Sequence, residues 1–581
     1  MGKKLLRAVA ASSALALGLG LAACGGDSGG GGSANDEPGE KGGTLQYLQS
    51  FLYESADPQR IYYGVQLAQW RRVLYRGLVA FPMDSDPEKA TTPVPDLATD
   101  TGTVTDGGKT WAFTLKDGVK WEDGSDITCA DVQYGTSRVF ANDVIIGGPN
   151  YTLSYIDVKD YPGPYTATPE QQAEFEKAVS CSDDNKTVTF HFNKPWADFN
   201  QAAAGMMMVD PYKKSFDEGD RSKWKVLSNG PYKVEGGVWD KNKGATLVRN
   251  DQYDESTDTP DQLRKALPDK INWVVNGSDT AGELFNDRLI KDAGDDQYAI
   301  TSARVTAQQL PKVQSGPVSE RYVNVVSPFT DYLVMNHKKL TDPKVREALA
   351  VSLNATGYIK ALGGELVAEP ADSIVNPGTA GYKPNPAFEG ISDGEGDPDA
   401  AQALLKEAGV KTPFPIKLSY PKTPTADKAM AVLQESWNKA GFDVTLDGQG
   451  DTYYDVIAQP DKDSDVMWAG WGSDWPSAMT VIPPLFDSRP NISKTTCGND
   501  YGCYESDELN KILDEAANAS NVEDQQAKMQ EADAFLGKEY AYIPLDNQKF
   551  NWLYGSKVTG FTTTAASSSY PELGLIGVSQ K

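Results

Sequence analysis

From residue 43 onward two hydrophobic periods take turns along the chain. A period of two marks strands. Gly43–Tyr47 opens with one, Trp111–Leu115 alternates, and TVTFHF at 187–192 sets Val188, Phe190 and Phe192 on one face with His191 on the other, toward solvent. A period of 3.6 marks helices, and the first is predicted over Gly64–Tyr75. Thr128-x-x-Asp131 has the form of a capping box and starts a helix through Phe140. Asp342-Pro343 puts an N-cap before a proline at the first helical position, after which Val345, Ala348, Leu349, Ser352 and Leu353 share one face. Asp397-Pro398 repeats the device ahead of Leu404, Leu405 and Ala408, and Gly409 stops that helix.

The next stretch has a regular order. Ile416–Tyr420 is a strand, and Thr425–Ala440 is a helix with Met430, Leu433, Trp437 and Ala440 on one side. Phe442, Val444 and Leu446 alternate in a second strand, Thr452–Gln459 is a short helix, and Val466–Ala469 is a third apolar strand. Strand, helix, strand, helix, strand predicts an open parallel sheet. Helices at Asp507–Ala517 and Asn521–Leu536 follow, and two strands, Ile543–Leu545 and Phe550–Tyr554, close the chain.

In open α/β sheets ligands bind just beyond the carboxyl ends of the strands. After Ala469 the residues Gly470, Gly472 and Pro476 are expected to end regular structure, and Asp474 sits in that loop between Trp471 and Trp475. The candidate site is therefore Asp474 with Trp471, Gly472, Ser473 and Trp475. The plain alternative is a turn aspartate beside core tryptophans.

Length and charge narrow the choices. At 581 residues the chain fits two or three domains. Its net charge of −26, with acids scattered throughout, argues against nucleic acid or an anionic membrane surface as partner. There is no CxxC, and the histidines, His191 and His337, are far apart, so no metal site is expected. Outside the N-terminal segment there is no GxSxG, Walker A or GxGxxG, which leaves nucleophilic catalysis and nucleotide cofactors without support. No second apolar run approaches transmembrane length. Of the five cysteines, Cys497 and Cys503 lie close together in a Gly/Asn-rich loop and form the better disulfide pair, with Cys129 and Cys181 as a second candidate.

Lys3, Lys4 and Arg7, the apolar Ala8–Ala22 and the small-residue junction Leu21-Ala22-Ala23-Cys24 resemble a bacterial lipoprotein signal. The resemblance implies that cleavage leaves Cys24 as a lipidated first residue, with Gly25–Gly32 as a flexible tether.

A wider resemblance rests on GGTL at 42–45, DP at 57–58, RGLV at 76–79, PDLAT at 95–99 and DGGKTWAFTLKDGVKWEDGSDITCADVQYG at 106–135. TVTFHFNKPWADF at 187–199, SNGPYKV at 228–234, LVRNDQYD at 247–254 and LVMNHKKLTDPKVREALAVSLN at 333–354 continue it. In this order the stretches resemble the family 5 solute-binding proteins of ABC importers, the oligopeptide- and dipeptide-binding proteins. Asn354 departs from the family's usual Asp, and residues 161–175 read as a long insertion.

The resemblance implies an α/β fold like that of periplasmic binding proteins, with two α/β lobes joined by a hinge plus a smaller extra domain. Residues 1–23 would be signal peptide and 24–41 tether. Residues 42–80, 226–326 and 552–581 would form lobe I, 81–225 the extra domain and 327–551 lobe II. GWGSDWP at 470–476 falls on the family segment whose aspartate meets a peptide's α-ammonium group, a role that passes to Asp474. The implied protein is a monomeric receptor without enzymatic activity, lipid-anchored on the extracytoplasmic side of the cell membrane, which captures short peptides for a permease. Oligosaccharide capture, which family members also perform and which twelve tryptophans would suit, is the alternative. An exported glycoside hydrolase comes third, because no motif pairs two carboxylates.

Overall fold

The computed structural model describes residues 38–259 and 261–580. The signal segment, Cys24 and most of the tether lie outside the described residues. Among those described, no helix is long and apolar enough to cross a membrane.

The chain begins with β1 (Thr44–Gln49), leaves it to build a small antiparallel sheet, and then returns. The small sheet holds β2 (Thr103–Thr105), β3 (Thr110–Thr114), β4 (Val179–Cys181) and β5 (Thr187–His191), in the order β2-β3-β5-β4. β6 (Tyr232–Val234), β7 (Gly244–Arg249), β8 (Lys270–Val275) and β9 (Ala299–Thr301) then join β1 in the order β9-β1-β8-β7-β6. These two sheets do not have separate interiors. Leu45, Tyr47, Trp70 and Trp273 belong to the same buried cluster as Phe113, Phe190 and Trp196.

A third sheet holds the second half: β10 (Tyr322–Met335), β11 (Ala368–Pro370), β12 (Phe414–Pro421), β13 (Phe442–Gln449), β14 (Val466–Gly472) and β15 (Tyr542–Leu553). Its order is β11-β15-β10-β14-β12-β13. The expected parallel unit is present, since β12 runs parallel to both β13 and β14. The sheet as a whole is mixed, however, because β10, β11 and β15 pair antiparallel. The two closing strands expected at the C-terminus are one continuous strand, β15, which pairs with β10 along most of its length.

That pair joins the lobes. Val323, Phe550 and Trp552 pack in the core of the first half, whereas Leu333, Met335, Ile543 and Leu545 pack in a core of the second. Midway the ladder breaks: Val326 pairs with Lys549 and Thr330 with Asn547, so Ser327, Pro328 and Phe329 oppose only Gln548. Proline has no N–H to donate to a ladder and is found at such irregularities.

Local signals place the helices. Thr128 and Asp131 form the capping box of the helix Cys129–Arg138. Asp342 and Asp397 cap Pro343–Val351 and Pro398–Glu407 through their side chains, and Asn354 does the same for Ala355–Leu362, so its amide oxygen replaces the carboxylate. Cys129 is bonded to Cys181 and Cys497 to Cys503. His191 is only half-buried, but it is not free in solvent: its Nδ1 lies 3.5 Å from Thr110 Oγ1 across the β3–β5 ladder.

Candidate functional site

Between the lobes lies a cleft of about 1050 Å³, at the upper end of the range typical of small-molecule sites. One wall comes from the first half, including Phe51, Tyr62, Tyr63 and Arg71. The floor is the broken stretch of β10, Val325–Phe329, and the facing wall carries Gly472–Pro476.

The candidate loop emerges from β14, but its glycines do not end the strand as the sequence suggested. β14 continues through Gly470 to Gly472, paired with Asp331 and Phe329 on β10. A Cβ at Gly470 would stand 2.6 Å from Asp331 Oδ1, and one at Gly472 would stand 2.8 Å from the Phe329 ring. Both positions are glycine because a neighbouring side chain lies across them. The strand therefore carries the loop to the cleft mouth before it turns.

Asp474 is half-buried at that mouth. Its Oδ2 accepts hydrogen bonds from the phenols of Tyr62, at 2.7 Å, and Tyr151. Thr480 Oγ1 accepts from its backbone N–H at 3.1 Å. Burial pushes the carboxyl above the usual range, and the two phenols work against that shift. Among the described residues no lysine or arginine pairs with it. Tyr62 in turn is fixed by the turn before it: Asp57 caps Pro58–Arg60, and the buried Arg138 reaches Asp57 Oδ1 at 2.8 Å.

The other candidates separate. Ser473 lines the cleft, its Oγ 3.1 Å from Thr379 Oγ1. Trp475 also lines it, but its indole is buried in the core of the first half, donating to Asp198 at 2.7 Å and meeting the Tyr151 ring edge-on at 4.7 Å. Trp471 points away from the cleft and packs within the second half, its Nε1–H donating to the Thr480 carbonyl at 2.8 Å. Tyr62 and Tyr151 are the site residues that sequence reasoning missed. The exposed doublet Tyr62-Tyr63 was the available signal for one of them, and Tyr151 had none.

Residues 92–493 match the family described as bacterial extracellular solute-binding proteins, family 5 (middle). The chain belongs to this family. Among curated relatives, the oligopeptide-binding protein OppA of Bacillus subtilis is 25% identical over 522 residues, covering 86% of each chain. The glutathione-binding protein GsiB of Salmonella typhi is 25% identical over 504 residues, covering 84% of this chain and 86% of the relative. Among solved structures, the clavulanic acid biosynthesis oligopeptide binding protein 2 superposes with a TM-score of 0.82 at 24% identity, over 94% of this chain and 97% of that one.

A family 5 solute-binding protein binds its ligand without transforming it, so the cleft has only to recognise a solute. Among the described residues no cluster of histidine, cysteine and acidic side chains could hold a metal ion.

Proposed function

We propose that this family 5 protein captures short peptides and delivers them to an ABC permease, held at the outer face of the cell membrane by lipid on Cys24. One observation carries the reading: Asp474, a carboxylate without a cationic partner among the described residues, faces the cleft with two phenols on one oxygen. A peptide α-ammonium brings three donors. The second carboxylate oxygen and the phenol lone pairs can accept them. The peptide backbone can then lie extended along the wall segments, so that its side chains stay largely unread. The names of the relatives OppA and GsiB support a peptide ligand.

Residues 42–80, 226–326 and 552–581 would move as lobe I with the extra domain 81–225, and 327–551 as lobe II. The bend would fall at Ser327–Phe329, where the β10–β15 ladder is broken. A ligand touching both walls favours the closed form through contacts that the open form lacks, and that closed form is what a permease can recognise.

Calorimetry with a mixture of short peptides and with a set of cello- and xylo-oligosaccharides tests the ligand class. Peptide heats with none from the sugars are expected, and the reverse would replace the peptide reading. For the anchor, metabolic labelling with a fatty acid should mark the wild type and spare Cys24→Ser. An unlabelled wild type would refute it.

A further inference from the structure

Four charged side chains line the cleft: Arg71, Arg72, Arg304 and Asp474. Two are already neutralised. Arg71 Nη1 lies 2.8 Å from Asp210 Oδ2, and Arg72 Nε lies 2.8 Å from Glu572 Oε1. Arg304 is different. It is exposed to the cleft, and among the described residues no carboxylate comes within ion-pair distance of it, in a chain with 81 acidic and 55 basic residues.

Arg304 is nevertheless held in place. Its carbonyl accepts from Asn286 Nδ2 at 2.9 Å, and the next amide, Val305 N–H, donates to the Asn551 carbonyl of β15 at 2.7 Å. The guanidinium carbon sits 4.5 Å above the Phe550 ring, and Nη1 donates to Gln548 Oε1 at 3.3 Å. Gln548 in turn gives its amide to the buried Asp331 at 2.8 Å, which fixes the orientation of its carbonyl toward Arg304. A planar cation is thus positioned on an aromatic face with most of its donors unused. That arrangement suits bidentate recognition of a carboxylate.

We propose that Arg304 receives a carboxylate of the bound ligand, which makes the cleft bipolar, with Asp474 for the ammonium end and Arg304 for an anionic group. This deepens the peptide-capture reading and rests on it. The carboxylate can be the peptide's C-terminus or an Asp or Glu side chain, and one experiment tells these apart. Wild type, Arg304→Ala, Arg304→Gln and Arg304→Lys, each checked for folding by circular dichroism, are equilibrated with three pools of synthetic tri- to pentapeptides. One pool has free termini, one has C-terminal amides, and one has Asn and Gln in place of Asp and Glu. Retained peptides are identified by mass spectrometry.

The wild type should retain one carboxylate-depleted pool about tenfold less well than the free pool. Loss with the amides assigns the C-terminus, and loss with the Asn/Gln pool assigns a side chain. In Arg304→Ala and Arg304→Gln the discrimination should vanish, and Arg304→Lys should restore part of it. Discrimination that persists in both neutral variants, or that the wild type never shows, overturns the inference while peptide capture stands. A wild type that retains no peptide from any pool removes peptide capture itself, and the inference with it.

Discussion

Two regions of this protein treat charge in opposite ways. In the first half of the chain, Arg76, Arg264, Asp96 and Asp258 are all buried and close on one another: Arg76 Nε lies 2.8 Å from Asp96, and Arg264 Nη1 lies 2.9 Å from Asp258. In the cleft, neither Asp474 nor Arg304 makes an ion pair among the described residues. Within this buried cluster each charge faces one of opposite sign, because an isolated buried ion costs several kcal/mol. The cleft departs from that rule once for each sign, and both exceptions line the same cavity. On the proposed reading, these two unpaired charges are the places where a ligand's own charges would dock.

Substitutions can break this comparison. Arg264→Met leaves Arg76 as the one cation facing the buried carboxylates Asp96 and Asp258 among the described residues and should cost about 3–5 kcal/mol of stability in denaturant unfolding. Arg304→Ala, an arginine lost from the cleft, should change stability by less than about 0.5 kcal/mol. Equal losses would mean that Arg304 is a structural cation.

The second contrast is in pH. Burial alone would raise the Asp258 carboxyl, but Arg264 and Arg76 outweigh it and hold Asp258 well below the usual range. Asp331 and Asp546, directly opposite each other on β10 and β15, are both raised by burial. A depressed carboxyl adds stability above its unfolded pKa, and that stability is lost as pH falls through the folded value. A raised carboxyl adds stability below its unfolded pKa, and that stability is lost as pH rises toward the folded value. Wild type should therefore lose stability relative to Asp331→Asn as pH rises from about 4 toward neutrality, by about 1–3 kcal/mol. Parallel thermal melts across that range provide the check, and identical pH profiles would show that the pair does not hold its proton.

The smallest effect on binding concerns Tyr62. Tyr62→Phe removes one of the two donors to Asp474 and should weaken peptide affinity by about 0.5–1.5 kcal/mol without lowering stability, measured by titration calorimetry beside a melt.

What the sequence revealed was mostly local. Thr128 with Asp131, Asp342-Pro343 and Asp397-Pro398 announced their helices because a cap and its partners lie within one turn. The parallel β12–β13–β14 unit followed from alternating periods. Long-range features were hidden. Tyr62 and Tyr151 stand 412 and 323 residues from the aspartate they bond, a distance no periodicity spans. Gly470 and Gly472 looked like chain breaks because glycine has the same local signature at a turn as where a neighbour's side chain lies across it. Trp471 and Trp475 were equivalent on paper. The strand pleat sends one into its own lobe, and the turn lets the other dock in the opposite one.

The central claim is that Asp474 anchors a peptide's α-ammonium group. Calorimetry of one well-bound peptide and its N-acetylated form, on wild type and on Asp474→Ala, tests it directly, with circular dichroism confirming the fold. Acetylation should cost the wild type about 2–5 kcal/mol, the substitution should cost a similar amount, and acetylation should cost the variant almost nothing further. Equal affinity in all four combinations would contradict the claim and leave Asp474 as a turn residue that two tyrosines happen to reach.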